Sequence, residues 1–399
     1  MKRRGMSLAL CAAMAMGTIG VVPAMADDVT TITYWVNDRH DSEYMTEMVE
    51  KYNKENTDNI YIDMQIITDD YENMISLAYT GGTAPDIIGQ SYSGMRSGVR
   101  IEYNKDLLEK SGYTEIPKTL DEYIDMAKKI TEDGNGEYYG IGFTSSSPFE
   151  RQLEMMAQVS GIYYYDYVNG KFDFSGYKEI LEKGKRFIDE EIAYPDQQGV
   201  DNMRALFAEG EFALWGNASQ EAGVFTSQLP IEDFEWGVAE VPSLDGEIKG
   251  ALQTTPSKGY AIMSSSEHPD EAWKVIQYFQ SEEVLKGYLE NGFCLPITTY
   301  MDEKIDKSKI GRLADFSLLE YESVYPAVPT INLTGDDYRT VMWNAIMGYV
   351  DVDDAIEDLN TRYNEAYEAD IESGSVKRLV IEDYDPLHPS DGTATYLDK

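Results

Sequence analysis

The stretch FAEGEFALWGNASQEAG, residues 207–223, carries the signals of a helix end, a strand and a second helix start. Gly210 suits the position just after a helix, because a residue without Cβ adopts the left-handed backbone at little cost. The run Glu211–Trp215 has the length of a short strand. Asn217 and Gln220 have the spacing of a capping box, with an Asx side chain in place of Ser or Thr. The stretch therefore predicts a strand followed by a turn and a new helix.

Polar groups in this stretch collect where the predicted strand ends. In α/β folds ligands often bind at that point, because backbone N–H groups and the positive end of a helix face the crevice. The turn from Asn217 to Gln220 is therefore a candidate binding region. An ordinary crossover without a ligand has the same pattern, so both interpretations stay open here. Trp215 lies inside the strand and is expected in the core.

The beginning of the chain has the pattern of a secretory signal peptide. Three basic residues at 2–4 precede an apolar run at 8–22, and an Ala-Met-Ala site at 24–26 follows. The run is short for a membrane span. Cys11 lies inside it and follows a leucine, which does not suit a lipoprotein signal. We predict cleavage near Ala26 and a soluble, extracytoplasmic product without a membrane span.

The charge of the chain excludes several classes of partner. Its net charge is −39, and removal of the three cations of the signal segment would make it −42. Such a surface repels nucleic acid and anionic lipid. Cys294 is the one cysteine after residue 26, so no disulfide framework is expected. The three histidines are far apart in sequence, and we predict neither a metal nor a cofactor.

Strand and helix patterns alternate after the signal segment. Thr31–Val36, Ile60–Ile67 and Pro85–Ile88 read as strands, and Ser42–Lys54 and Asp70–Tyr79 read as helices between them. Strands that alternate with helices in this way form a parallel sheet with right-handed crossovers. The sequence therefore predicts an α/β protein.

Several segments resemble, in the same order, the extracellular solute-binding proteins of ABC transporters, the group that includes maltose-type sugar-binding proteins. They are TAPDI (83–87), YNKDLLEKSG (103–112), PKTLDE (117–122), LFAEGEFALWGNAS (206–219) and PDEAWKVIQYF (269–279). Of these, TAPDI is the most specific. The resemblance extends from about Thr31 to Asp370.

This resemblance implies a two-lobed clamp of the periplasmic-binding-protein-like fold (type II), with mixed sheets, discontinuous lobes and a hinge. We assign residues 27–102 and about 255–310 to an N-terminal lobe, and about 103–254 and 311–370 to a C-terminal lobe. The N-terminal lobe is shorter than usual between residues 89 and 102. Residues 371–399 extend beyond the family's usual end and remain unassigned.

A clamp for a neutral sugar needs aromatic faces that stack on the ring and polar side chains that bond the hydroxyl groups. The candidate contact positions lie at strand ends or in segments that resemble the family's contact regions, and they are Trp35, Asn37, Asp38, Gln90, Ser91, Ser145, Ser147, Phe149, Asn217, Gln220, Tyr338 and Trp343. Phe149 is expected to be a stacking face, with Tyr338 or Trp343 as a second platform. The alternatives are a core position for Trp35 or Trp343 and a helix cap for Ser147. The family often has a tryptophan near Gln220.

The resemblance implies that the protein captures a mono- or oligosaccharide and delivers it to the permease subunits of an ABC importer. A monomer without enzymatic activity is expected. The sequence leaves three alternatives open: another solute such as a polyamine, ferric iron held by Tyr163-Tyr164-Tyr165, or a non-binding paralogue with a degenerate site. A secreted glycoside hydrolase is a further class, although carboxylate pairs arise by chance among 72 acidic residues.

Overall fold

The computed structural model describes residues 29–37, 41–67, 70–89, 95–256, 259–296 and 299–398. The predicted signal peptide and the candidates Asp38, Gln90 and Ser91 lie outside these residues.

Regular structure in the described residues alternates between strands and helices. In chain order, strands β1 to β17 are Thr30–Val36, Ile60–Ile66, Ile87–Gly89, Met95–Ser97, Val99–Asn104, Tyr139–Ile141, Tyr165–Asp166, Lys171–Phe172, Phe212–Ala218, Trp236–Ala239, Leu252–Gln253, Thr255–Pro256, Tyr260–Ile262, Leu295–Pro296, Glu322–Ser323, Arg378–Ile381 and Ala394–Leu397. Helices α1 to α13 are Ser42–Glu55, Tyr71–Gly81, Lys105–Lys110, Leu120–Gly134, Met155–Val159, Lys178–Asp189, Val200–Ala208, Glu221–Gly223, Pro269–Phe279, Glu282–Glu290, Thr299–Asp302, Tyr338–Ile346 and Val352–Ser373. Glu150–Glu154 and Val224–Gln228 are π-helical, and Ser175–Tyr177 and Gly311–Phe316 are 3₁₀-helical.

The chain forms two compact units. The described part of unit 1 runs up to residue 89 and includes 259–279, and unit 2 holds the remainder. Strand β5 (99–104), which begins in the predicted N-terminal lobe, lies in unit 2. The lobe boundaries given above stay a prediction.

Unit 1 is built on the predicted parallel sheet. Strand β1 pairs in parallel with β2 and β3, and the strand order is β13-β3-β1-β2, with β13 antiparallel. Ile32, Ile62 and Ile87 of these strands are buried. The alternation of strand and helix in the sequence therefore predicts this sheet correctly.

Unit 2 is organised around β9, the strand of the 207–223 stretch. It pairs antiparallel with β5 and parallel with β6 in a sheet of order β10-β5-β9-β6. One hydrophobic core joins this sheet to α4, α6, α12 and α13. Helix α4 begins as predicted, because Thr119 accepts a hydrogen bond from the Glu122 backbone N–H at 3.3 Å.

The predictions for the 207–223 stretch are mixed. Gly210 follows α7 with φ +78°, as expected for a residue just past a helix. Trp215 is completely buried, as expected. The prediction of a capping box at Asn217 and Gln220 is wrong. Pairing with β5 extends the strand to Ala218, and the next helix begins only at residue 221.

The C-terminal extension packs onto unit 2. Strand β16 pairs with β17, and Leu379 and Ile381 of β16 are completely buried. The Leu379 carbonyl accepts a hydrogen bond from the Tyr165 hydroxyl at 2.8 Å, and Ile381 N–H donates to the Tyr167 carbonyl at 2.8 Å. The extension is therefore part of the hydrophobic core of unit 2.

Among the described residues, no helix has the length and apolar character that a membrane crossing requires.

Candidate functional site

A cavity of about 490 Å³ opens in unit 2 between the segment after β6 and the start of α12. Polar residues on its wall are Ser145, Ser147, Asp337, Arg339, Thr340 and Asn344. Aromatic residues on its wall are Phe149, Tyr164, Phe172, Tyr338, Trp343 and Tyr363. A cavity of this volume, with both aromatic and polar groups, has the size and character of a small-molecule site.

Two local structures place the polar groups. Ser147 has a left-handed backbone, with φ +53°, and the helical turn after it starts at Pro148, a residue favoured at the first helical position. On the other wall, Asp337 caps α12 by accepting a hydrogen bond from the Thr340 N–H at 3.0 Å. Both walls therefore expose a helix start to the cavity.

Five candidates from the sequence come together here. They are Ser145, Ser147, Phe149, Tyr338 and Trp343, which lie on segments nearly 200 residues apart in the chain. Ser145 and Ser147 are exposed. The residue directly before the π-helical segment is Phe149, and it makes no side-chain cap. Ser147 lies two residues earlier, in the left-handed turn.

The expectation that Phe149 offers a stacking face is wrong for this structure. Its side chain is completely buried and its ring packs against Tyr177, with 6.0 Å between the ring centroids. The residue begins a helical segment, and burying the apolar side of that segment turns the ring inward.

Trp343 and Tyr164 are half-buried aromatic residues on the cavity wall. The Trp343 ring packs against Phe143 at 5.0 Å, and the Tyr164 ring stacks on Tyr338 at 4.6 Å. Packing from behind fixes the position of each ring, which lowers the entropy lost when a ligand stacks on it. Tyr338 itself is only 8% exposed, so it supports this surface rather than forming it.

Arg339 is the cation on the cavity wall. The carboxylate of Glu154, in the π-helical segment, lies 2.7 Å from Arg339 Nε and also accepts a hydrogen bond from the Tyr338 hydroxyl. Glu150 lies 3.3 Å from Arg339 Nη1. Burial raises the pKa of Glu154, although the nearby guanidinium of Arg339 opposes this shift.

Asn217 and Gln220 do not line the cavity. Asn217 is completely buried in β9, where its Oδ1 accepts a hydrogen bond from Arg151. Gln220 is exposed in the turn that follows. The polar end of the 207–223 stretch is therefore partly buried, with Asn217 inside the protein and Gln220 at the surface.

Arg151, the hydrogen-bond partner of Asn217, lies near a buried charged cluster. Glu221 forms a two-pronged ion pair with Arg204, with distances of 2.6 and 2.7 Å. Glu102 on β5 is also completely buried, and the described residues offer its two carboxylate oxygens no hydrogen-bond partner. Burial and the nearby Glu221 carboxylate raise the pKa of Glu102 well above its ordinary value, against the opposing effect of Arg204 and Arg151.

Replacing Glu102 by glutamine is expected to stabilise the protein at pH 7 by about 1–3 kcal/mol, because a neutral amide requires neither the desolvation of a carboxylate charge nor the uptake of a proton on folding. The pKa of Glu102 is about 4.3 in the unfolded chain and higher in the folded protein. Its protonation therefore stabilises the folded state below pH 4.3, and this stabilisation is lost as the pH rises through the folded pKa. The advantage of E102Q should therefore shrink as the pH falls toward 4. Urea unfolding across this pH range measures it, with exposed Glu109→Gln as the control. A less stable E102Q at pH 7 would contradict the prediction.

The remaining candidates lie in unit 1. Trp35 is half-buried in β1, and its carbonyl accepts a hydrogen bond from the Tyr71 hydroxyl at 2.8 Å. Asn37 follows this strand and is also partly buried, and its Oδ1 has no partner among the described residues. Both stay candidates.

Sequence reasoning missed three polar residues of α12, namely Arg339, Thr340 and Asn344, together with Tyr164. The spacing of two of these residues in the sequence could have indicated them. Thr340 and Asn344 are four residues apart and therefore lie on one helix face, beside Trp343.

The tyrosine run offers little support for ferric iron. The Tyr165 hydroxyl is bonded to Tyr367 at 2.9 Å, and burial raises the pKa of both Tyr163 and Tyr165. A raised pKa disfavours the phenolate that binds ferric iron. In the ranges that the structure describes, no group of three His, Cys, Asp or Glu residues is placed to hold a metal ion.

Comparison with known proteins points to one family. Residues 101–286 match the family described as bacterial extracellular solute-binding protein. A binding protein of Brucella abortus (strain 2308) is 23% identical over 274 residues, which is 64% of this chain and 62% of that protein. The galactooligosaccharide-binding protein of Bacillus subtilis (strain 168) is 24% identical over 268 residues, 62% of this chain and 59% of that protein. The chain thus spans about three fifths of the length of these relatives.

The fold has close counterparts among solved structures. The sugar-binding protein MalE of Xanthomonas citri superposes with a TM-score of 0.67 at 19% identity, covering 87% of this chain and 99% of that one. Together with the mixed sheets described above, this likeness shows the two-lobed α/β fold of periplasmic binding proteins that the sequence predicts.

Proposed function

We propose that the chain is a member of the bacterial extracellular solute-binding protein family, whose model matches residues 101–286, and that it binds a mono- or oligosaccharide in the unit 2 cavity and delivers it to an ABC importer. The cavity carries the proposal. Trp343 and Tyr164 offer aromatic surface, while Ser145, Thr340 and Asn344 offer groups that bond hydroxyls. A sugar ring has apolar C–H faces and a polar edge, so it needs both kinds of group.

The protein's place in transport follows from this binding role. We infer that residues 1–26 direct export and are then removed, and that the folded chain presents the bound sugar to permease subunits outside the cytoplasm. Binding without turnover is sufficient for this task. The galactooligosaccharide-binding relative and the sugar-binding MalE structure support a carbohydrate as the solute.

A thermal-shift panel tests the proposal. A ligand at 100 times its Kd stabilises the folded state by about 2.7 kcal/mol, which raises the melting temperature measurably. We expect such a shift with at least one neutral sugar in a panel of monosaccharides and malto-, galacto- and xylo-oligosaccharides. The same sugar should bind with the same affinity to the variant Trp273→Ala, whose ring is exposed on α9 in unit 1.

Other outcomes separate the alternatives. A thermal shift with spermidine but with none of the sugars would indicate that the bound solute is a polyamine. A purple colour with ferric iron would indicate an iron-binding site. Release of the chromophore from a nitrophenyl glycoside would indicate a hydrolase. The absence of a shift with every solute would favour a non-binding paralogue.

A further inference from the structure

Glu154 is a buried carboxylate placed directly behind the cavity wall. It lies in the π-helical segment Glu150–Glu154, and its side chain is 2% exposed. Its Oε2 accepts a hydrogen bond from Arg339 Nε at 2.7 Å, and its Oε1 lies 3.3 Å from Arg339 Nη2. The same Oε1 accepts a hydrogen bond from the Tyr338 hydroxyl. One carboxylate therefore fixes two consecutive residues of α12.

The other side of the π-helical segment is fixed as well. Gln152 donates a hydrogen bond to the Gly142 carbonyl at 2.7 Å, and Arg151 donates to Asn217. A Cβ at Gly216 would lie 2.3 Å from the Arg151 carbonyl oxygen, so only glycine allows β9 to approach this closely. The segment is held against the sheet, and this support keeps Glu154 in place.

The charges around Arg339 do not favour an anionic ligand. Glu154 and Glu150 both contact the guanidinium, at 2.7 and 3.3 Å, and Asp337 is the other charged residue on the cavity wall. Two carboxylates thus contact one cation, and a third lines the same cavity. A ligand carboxylate would have to displace Glu154 or approach this excess of negative charge.

Arg339 nevertheless keeps donors for a neutral ligand. A guanidinium carries five N–H groups. Glu154 accepts from two of its three nitrogen atoms and Glu150 lies 3.3 Å from the third, so two N–H groups remain when each contact uses one. The side chain is 37% exposed at the cavity. Hydroxyl oxygens of a sugar can accept hydrogen bonds from the N–H groups that remain.

Building on the proposed function, we propose that Glu154 makes the cavity selective for neutral over acidic sugars, because it neutralises Arg339 and holds the guanidinium in position to donate to ligand hydroxyls. Glu154 is a positioning residue in this arrangement, since it does not line the cavity itself.

The experiment measures selectivity rather than affinity alone. Isothermal titration would compare two neutral trisaccharides, maltotriose and xylotriose, with the acidic trisaccharide trigalacturonate. The wild type should bind its preferred neutral sugar at least about 10-fold more tightly than trigalacturonate. E154Q should reduce this ratio by about 10-fold or more, a change of about 1.4 kcal/mol. E150Q replaces a glutamate that is 44% exposed, so the variant is expected to fold. It should change the selectivity ratio in the same direction as E154Q, but by a smaller factor.

The matched control is E322Q. Glu322 is as buried as Glu154 and pairs with Arg100 at 2.7 Å in the same unit, but away from the cavity wall. It should leave the selectivity ratio unchanged even if it lowers stability. A second readout needs no ligand: modification of Arg339 by phenylglyoxal, quantified by peptide mass spectrometry, should accelerate in E154Q and not in E322Q.

The results distinguish two failures. If the wild type binds a neutral trisaccharide and E154Q changes neither the ratio nor the reactivity of Arg339, the role of Glu154 is refuted. A wild-type preference for trigalacturonate would refute it equally. If the wild type binds no saccharide, the proposed function fails, and the sugar selectivity inferred from it fails with it; Arg339 reactivity still shows whether Glu154 holds the guanidinium.

Discussion

Replacing Trp343 by alanine is expected to weaken binding of the cognate sugar by about 30-fold or more. Trp343 is the largest half-buried aromatic residue on the cavity wall, and Phe143 packs behind it at 5.0 Å. Removing an aromatic anchor of this kind from a binding site costs about 2 kcal/mol or more, and each 1.4 kcal/mol is a factor of ten in Kd. Isothermal titration with the sugar found in the thermal-shift panel measures the loss.

Two further variants identify the cause of the loss. Trp343→Phe keeps a flat ring and should retain part of the affinity. Trp273→Ala removes a tryptophan that is 54% exposed in unit 1 and should leave the affinity unchanged. Since Trp343 also contacts the core, urea unfolding without ligand separates lost stability from lost binding. If W343A kept the wild-type Kd, the sugar would have to bind elsewhere.

Trp215→Ala is expected to reduce the free energy of unfolding by about 3–5 kcal/mol, as for other large aromatic residues deleted from a core. Trp215 is completely buried in β9. Its ring packs against Phe207 and Phe212, with centroids 5.9 and 6.0 Å away. The cavity left by alanine lies under the central sheet of unit 2, where fixed backbone on both sides limits collapse.

The variant Trp215→Phe tests the origin of this effect. The indole Nε1 is buried, and the described residues provide no hydrogen-bond partner for it. Phenylalanine removes this unpaired N–H group while it keeps most of the ring contacts, so W215F should cost less than about 1.5 kcal/mol. Urea unfolding followed by circular dichroism compares the two variants. A loss below about 1 kcal/mol for W215A would show that the site collapses and that this core position contributes little.

The sequence predicts local structure well where short-range rules determine it. Helix α9 spans residues 269–279, the segment named from its sequence similarity, and Gly210 follows a helix with the expected positive φ. The alternation of strands and helices before residue 90 predicts the parallel sheet of unit 1. These features depend on hydrophobic period, turn residues and capping, which act over a few residues.

The sequence is less informative about the direction in which a side chain points. Phe149 turns into the core, and pairing with β5 extends β9 beyond the expected turn, so that Asn217 is buried in the strand. In both cases a long-range contact overrides a local signal. Residue type and spacing identify the right segments for the cavity, but they do not show which ring faces it.

By itself, the sequence determined the α/β class, the order of the elements and the core position of Trp215, and it carries the motifs that resemble the solute-binding family whose model matches residues 101–286. Only the tertiary structure brought Glu154 to Tyr338, 184 positions along the chain, and placed Arg339 between two glutamates at a cavity wall. The physical reason is the range of the forces involved. Backbone preferences and hydrophobic period act over one helix or strand, whereas the charge and shape of a binding site arise from side chains that meet only when the core of unit 2 has packed.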